Sequence, residues 1–189
     1  MIDPSRQQEF EDVALVHLDA LYKTAHRLTG SPEEAEELVQ ETFLRAFRFF
    51  HQFQEGTNCR AWLYKILRNT FVNRYEKQKR NPGGIDLDEV SPFIGEHDHN
   101  IGFQPDTYEQ MLGRVLDDDV MGALMALPEP YRIVVILADL EALPYKEIAE
   151  IVAIPIGTVM SRLFRGRKAM RGQLMEAAKR YGIGREANG

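Results

Sequence analysis

Ser161, Phe164, Arg165 and Lys168 recur at i, i+3, i+4 and i+7, the spacing that puts four side chains on one face of a helix. A guanidinium, an ammonium and a hydroxyl along one stripe are hydrogen-bond donors for phosphates and base edges, not a set for breaking bonds. Val159, Leu163 and Met170 fall on the opposite side. Just upstream, Ile148, Ala149 and Val152 give a shorter amphipathic helix over Tyr145–Val152. Ala153–Ile156 interrupts it, with Pro155 as the breaker, and the longer helix opens at Gly157-Thr158. Short helix, tight turn and longer helix with a basic outer face make a helix-turn-helix, whose second helix is the size of a major groove. The competing reading is an amphipathic hairpin with a solvated basic face, and charge argues against it. Gly157–Arg180 holds seven basic residues against one acidic, a net of +6, in a chain whose total is −6. A basic stripe on an acidic protein marks a place where a polyanion binds.

Other reactive groups are sparse. His97-Asp98-His99 is the only metal-like cluster in the sequence, and without a structured third and fourth ligand it reads as hydrophilic linker. There is no Gly-rich phosphate loop, Cys pair or His-x-x-x-His. Cys59 is the single cysteine, which excludes an internal disulfide and fits a reducing cytoplasm. It adjoins Arg60 at the start of a predicted helix, a setting that lowers a thiol pKa, but a bland polar-loop thiol is the favoured reading. Glutamates over Glu33–Glu41 serve a helix start before any acid–base role. No enzyme activity, cofactor or metal is expected.

The elements that position these residues are predicted to be helices throughout. Phe10–Leu28 carries a broad apolar stripe, and Thr29-Gly30 stops it. Ser31-Pro32-Glu33-Glu34 starts the next helix, with Ser31 as N-cap and Glu34 closing a capping box. This helix runs to about Phe50 with Leu38, Val39, Thr42, Phe43, Ala46, Phe47 and Phe50 inward. Glu37, Gln40, Glu41, Arg45 and Arg48 are left on its surface. His51–Cys59 is a loop turning at Gly56. Arg60–Arg80 is a third helix, again with seven basic residues against one acidic. Its predicted buried side includes Trp62, Leu63, Ile66, Leu67, Thr70 and Phe71, while Lys65, Asn69 and Asn73 line up at i, i+4, i+8.

Pro82-Gly83-Gly84 ends this unit. Asn81–Asp119 has ten acidic residues against one basic, a net of −9, and reads as a flexible acidic linker that could repel DNA or lie over the basic faces. Helices over Val120–Leu127 and Pro130–Asp139 then precede the helix-turn-helix. The predicted architecture is all-α: two small bundles, residues 1–81 and 118–189, joined by linker 82–117. The 189 residues, 44% of them hydrophobic, suffice for two modest cores. No apolar run of about 18 residues suggests a membrane span, and MIDPSRQQEFED does not read as a secretory signal.

Glu37–Phe47, ELVQETFLRAF, and the stretch around AWLYKILRNTFVNRY resemble region 2 of bacterial sigma factors. LPEPYR, YKEIAEIV and IPIGTVMSRLFRGR over Leu127–Arg171 resemble region 4. Both in this order, with no region 3 between them, resemble the extracytoplasmic-function (ECF) subfamily over about 150 residues. The resemblance implies an initiation factor that binds core RNA polymerase, through the β′ coiled coil and the β subunit, and opens promoters. It implies that Glu37, Gln40, Glu41 and Arg45 grip the β′ coiled coil. The −10 loop and helix would comprise Glu55, Gly56, Thr57, Asn58, Cys59, Arg60, Trp62, Lys65, Arg68, Asn69, Asn73, Arg74 and Lys77, holding a flipped non-template base. Asn58 and the loop backbone would read that base and Asn69 would line its pocket. Trp62 and Tyr64 would stack on unpaired bases. The −35 element would be read by Thr158, Ser161, Phe164 and Arg165, with Arg162, Arg167, Lys168 and Arg171 on phosphates. QEGTN with AWLYKIL and NTFVNRY is most similar to the subset controlled by zinc-binding, thiol-sensing anti-sigma factors, the zinc being the partner's.

The chain departs from the family pattern in places. Met160 stands where members often carry Lys or Arg. Ala153 replaces the common turn Gly, implying φ below zero or mild strain. Pro144 replaces the usual Ser/Thr cap, and Ala142 sits where Gly is frequent. Two other classes remain: a stand-alone helix-turn-helix repressor or activator, which leaves Glu37–Arg80 unexplained, and a decoy that binds an anti-sigma factor without reading DNA.

Overall fold

The computed structural model describes residues 4–54, 56–80 and 117–180. The acidic linker, including His97-Asp98-His99, and Glu55 lie outside the described residues, as does the side chain of Lys77. Helices α1 (Pro4–Ala14), α2 (Leu18–Thr29), α3 (Pro32–Phe49) and α4 (Cys59–Arg80) form one bundle. Helices α5 (Asp117–Met125), α6 (Glu129–Val135), α7 (Tyr145–Val152) and α8 (Ile156–Arg180) form the second. Among the described residues there is no strand.

The stripe over Phe10–Leu28 is not one helix. A 3₁₀ turn at Leu15–His17 separates α1 from α2, and Leu15, Val16 and Leu18 are exposed there. The phase change lets Phe10 leave the α2 line and enter an aromatic cluster, edge-on to Phe43, Phe47 and Phe50 at 6.3, 5.2 and 5.2 Å. Gly30 ends α2 in the left-handed region, its N–H bonding His26 O. Ser31 caps α3 through the Glu34 N–H, as expected. The reciprocal half of the capping box is absent, because the Ser31 N–H bonds Thr29 Oγ1 and the Ser31 hydroxyl bonds Glu33. Leu21, Leu28, Leu38, Leu63 and Leu67 fill the core between α2, α3 and α4.

In the second bundle the helix expected over Pro130–Asp139 ends at Val135. It widens into a π turn, Ile136–Leu140, closed by Glu141 N–H to Ile136 O. Ala142 follows with φ 52° and Ala153 ends α7 with φ 56°. Both are left-handed residues with a Cβ, so the strain alternative holds, at about 1 kcal/mol each. Pro144 lies one residue outside α7, as its N-cap, rather than in its first turn. Ile133, Ile136, Ile148 and Leu163 are fully buried in this bundle.

The two bundles pack together through α2 against α5, α6 and the π turn, and through α4 against α7. Arg132 crosses the seam: Nη1 donates to Leu28 O at 2.7 Å, and Nη2 to Met125 O and Leu127 O. Those carbonyls at the ends of α2 and α5 would otherwise lack partners.

Candidate nucleic-acid and polymerase interfaces

Helix α8 owes its two faces to its sequence period. Val159, Leu163, Met170 and Leu174 are buried, and this turns Ser161, Arg165, Lys168 and Arg171 to solvent while Thr158 and Arg162 are half-buried. The first turn is tied to the bend by Thr158 N–H to Pro155 O. Phe164 is exposed on this face, as expected. So are Ile156 and Met160, one turn apart on the same line, so the face is more apolar than its charge suggested. The apolar sequence at i, i+4, i+8 was the available signal.

Arg167 does not stand free to track a phosphate. Its guanidinium forms a two-pronged ion pair with Asp139, with Nε 3.1 Å from Oδ2, and Nη1 lies 3.5 Å from the Tyr145 hydroxyl. These hydrogen bonds hold its pKa above the ordinary guanidinium range, against the effect of burial. Arg167 joins α8 to the π turn and to the start of α7. Its sequence neighbours gave no warning, because Asp139 is 28 residues away.

On α4, Lys65, Asn69 and Asn73 form the exposed line the spacing predicts, with Arg68 half-buried and bonded to Asn69. The loop before it turns at Gly56, φ 83°, and Thr57 bonds back to Gln54 O. Asn58 caps α4, its Oδ1 accepting from the Ala61 N–H at 3.1 Å. Trp62 is half-buried against Phe50 and Phe53, so it buttresses the loop from beneath. Four expectations change here. Tyr64 is 1% exposed and cannot stack on a base in this arrangement. Arg60 is held by Glu141 across the seam. Arg74 reaches back to α3, donating to the Glu41 carboxylate and to the Glu37 backbone carbonyl, because α3 and α4 pack side by side. Cys59 is buried, and burial pushes its thiol pKa up, not down.

The Cys59 result carries a prediction. A buried, protonated thiol should react with Ellman's reagent at least about tenfold more slowly in the folded chain than in denaturant. Equal rates would restore the exposed, activated thiol. Because the folded pKa is raised, the neutral thiol's contribution to stability is complete below the ordinary thiol value and is lost as pH rises through the raised one.

On α3, Glu37 and Gln40 are exposed, and Glu41 and Arg45 are half-buried partners of each other at 2.6 Å. Leu44 continues this line and is 64% exposed. Beside it a largely apolar groove of about 870 Å³ runs between α3 and the α1–α2 break, lined by Leu15, Leu18, Val39, Phe43 and Leu44. Leu15 and Leu18 belong to the apolar stripe predicted over Phe10–Leu28, yet both are exposed. Among the described residues no group of three His, Cys, Asp or Glu could hold a metal ion, and no helix is long and apolar enough to cross a membrane.

The geometry has counterparts. The family profile for Sigma-70 region 2 matches residues 15–81, and that for Sigma-70, region 4 matches residues 117–170. The chain is 30% identical over 177 residues to the ECF RNA polymerase sigma factor SigW of Bacillus subtilis, covering 90% of this chain and 91% of that one. It is 32% identical over 172 residues to the ECF RNA polymerase sigma factor SigE of Mycolicibacterium smegmatis, covering 91% of this chain but spanning only 64% of that relative's length. The solved sigma factor RpoE from Bartonella quintana, in complex with the anti-sigma factor NepR, superposes with a TM-score of 0.69 at 29% identity, over 89% of this chain and 98% of that chain. Two matched regions in the expected order, one on each bundle, and near full-length similarity to SigW place this chain in the sigma-70 family, among the ECF sigma factors that direct RNA polymerase to promoters.

Proposed function

We propose that the chain binds core polymerase through the α3 face and reads a promoter at two places. Residues 1–81 hold the core-binding and −10 functions, residues 82–117 the linker, and residues 118–189 the −35 function. Glu37, Gln40, Glu41 and Arg45 set register on the β′ coiled coil, with the apolar line through Leu44 adding contact area, and the β subunit completes the platform. On the second bundle, Arg165 pairs with a guanine edge and Phe164 meets a thymine methyl, each backed by phosphate contacts from Arg162, Lys168 and Arg171. On the first, Asn58 and Asn69 hold a flipped base while Lys65, Arg68 and Asn73 follow the strand. Unpairing costs a few kcal/mol and captured bases return a similar amount, so melting proceeds without ATP.

The observation that carries this is the pair of exposed polar and basic lines, Lys65–Asn69–Asn73 and Ser161–Arg165–Lys168, on separate bundles of one chain. The role is that of a transcription factor rather than an enzyme, acting in the cytoplasm beside core polymerase. An anti-sigma factor is a partner, by similarity to the NepR-bound sigma factor. The finer assignment to a zinc-binding, thiol-sensing partner rests on the QEGTN–AWLYKIL–NTFVNRY resemblance.

Adding the chain to sigma-free core polymerase with a promoter library, and mapping transcript starts, tests the proposal; no defined starts would end it. Arg165→Ala is expected to relax preference at one −35 position by about 1–3 kcal/mol while core binding holds. Uniform weakening on every sequence would instead make Arg165 a phosphate contact.

A further inference from the structure

Glu141 is 8% exposed and belongs to the second bundle, yet among the described residues its side-chain partners all come from the first. Thr24 Oγ1 donates to Oε1 at 2.8 Å, and Arg27 Nη1 lies 3.3 Å from the same oxygen. Tyr64 Oη donates to Oε2 at 2.6 Å, and Arg60 Nη2 at 2.9 Å. Two guanidinium groups and two hydroxyls thus converge from α2 and α4 on one anion. Neither arginine forms an ion pair with a first-bundle carboxylate among the described residues. The first bundle on its own therefore presents a ready anion pocket. The Arg60 guanidinium also lies over the Tyr64 ring, 5.4 Å from its centroid, which orients it. Arg60 Nε is buried without a partner, so a carboxylate leaves one donor unused. A phosphodiester, with more acceptor oxygens, has the capacity to use it.

The pocket adjoins the −10 loop. Arg60 follows Cys59 and Asn58, and the amide of Asn58 is itself occupied by a second-bundle carboxylate, Glu147, at 3.2 Å. Glu147 thus stands where the reading above places the flipped base, beside the groups that Glu141 fills.

We propose that Thr24, Arg27, Arg60 and Tyr64 form a binding site for a backbone phosphate of the unpaired −10 strand, and that Glu141 occupies it in cis when the bundles are closed. Closure and strand capture then exclude each other. This rests on the −10 reading but extends it to residues of α2, which that reading does not include. Opening leaves Thr24, Arg27, Arg60 and Tyr64 without their anion, so a strand phosphate that takes the place of Glu141 favours the open state.

The test uses the full chain, without polymerase, and a short fluorescein-labelled single-stranded DNA of randomised sequence. Glu141→Gln keeps the shape and removes the charge. It is expected to raise affinity for the strand about tenfold and to increase the radius of gyration in solution scattering. Adding Arg27→Ala to Glu141→Gln should remove most of the gain and lower the slope of log affinity against log salt by about 0.7, one phosphate contact. If the double variant binds as Glu141→Gln does, with the same slope, the pocket is overturned. If Glu141→Gln opens the chain without tightening binding, Glu141 is a structural clasp only and the proposal fails. A Lys65→Ala control separates the two levels. Binding that depends on Lys65 but not on Arg27 leaves the −10 reading intact and removes the pocket. Binding that depends on neither removes both. Should Glu141→Gln melt early, Thr24→Val with Arg27→Ala in the otherwise native chain serves instead. That variant should open the bundles without any gain in strand affinity, and a gain equal to that expected for Glu141→Gln would refute the pocket.

Discussion

Replacing Gly166 by valine is expected to cost about 3 kcal/mol and to abolish −35 duplex binding. Gly166 is buried where α8 crosses α6. A Cβ there would lie 2.7 Å from Val135 Cγ2 and 3.6 Å from Tyr131 Cβ. Val135 is 1% exposed and β-branched, so one rotamer is strongly preferred and it has little room to swing aside. Gly166→Ala meets the same contact but gains up to about 1 kcal/mol of helix propensity, so its net loss should be smaller. Valine adds two methyls and no such relief. In a chain of this size a loss of 3 kcal/mol should lower the melting temperature by roughly 6–12 °C. Because α8 carries the proposed −35 face, binding should fall with it. The diagnostic is Val135→Ala in the Gly166→Val chain, which should restore part of the lost stability. A melting temperature unmoved by that second change would show that the close approach at Gly166 is not the cause.

Glu41→Lys should weaken association with core polymerase by about a hundredfold, or about 3 kcal/mol. Glu41 accepts from Arg74 Nε at 2.7 Å and from Arg45 Nη2 at 2.6 Å. Partial burial pushes its carboxyl pKa up, but the hydrogen bonds and charges of Arg74 and Arg45 outweigh this and hold it below the usual range. Lysine there would set three cations side by side and reverse the charge presented to the proposed β′ coiled-coil partner. Glu41→Gln, which removes the charge without reversing it, should give an intermediate loss. Circular dichroism should show the first bundle still folded in both variants. Pull-down with core polymerase reads the effect, and native-level assembly by the lysine variant would remove Glu41 from the interface. The sign with pH follows from the depressed pKa. The carboxylate's contribution is present above its ordinary value and fades as pH falls through the lowered one.

Much of the machinery was legible because helices announce themselves locally. The order of α2, α3, α4, α7 and α8, the Ser31 cap, the Gly30 stop and the buried line Val159–Leu163–Met170 all follow from spacings within a few residues. The exposed lines Lys65–Asn69–Asn73 and Ser161–Arg165–Lys168 follow from the same periodicity. The family motifs could be read from the same segments.

Other features depended on distant partners. Period alone cannot show that Leu15–His17 breaks the first stripe, because the cause is the packing of Phe10 against Phe43, Phe47 and Phe50. Nor can it tell a free arginine from an engaged one. Arg60, Arg74 and Arg167 look alike in sequence to Arg165, yet the first three are held by Glu141, Glu41 and Asp139.

By itself, then, the sequence determined the all-helical class, the two bundles, the family and the faces that face solvent, since each is encoded by short-range periodicity and composition. Tertiary structure alone decided which cations are available to DNA, that Tyr64 and Cys59 are buried, and that Glu141 sits among first-bundle donors. The physical reason is that an ion pair depends on where two chain segments meet, and the seam between the bundles brings together residues 77 to 117 positions apart.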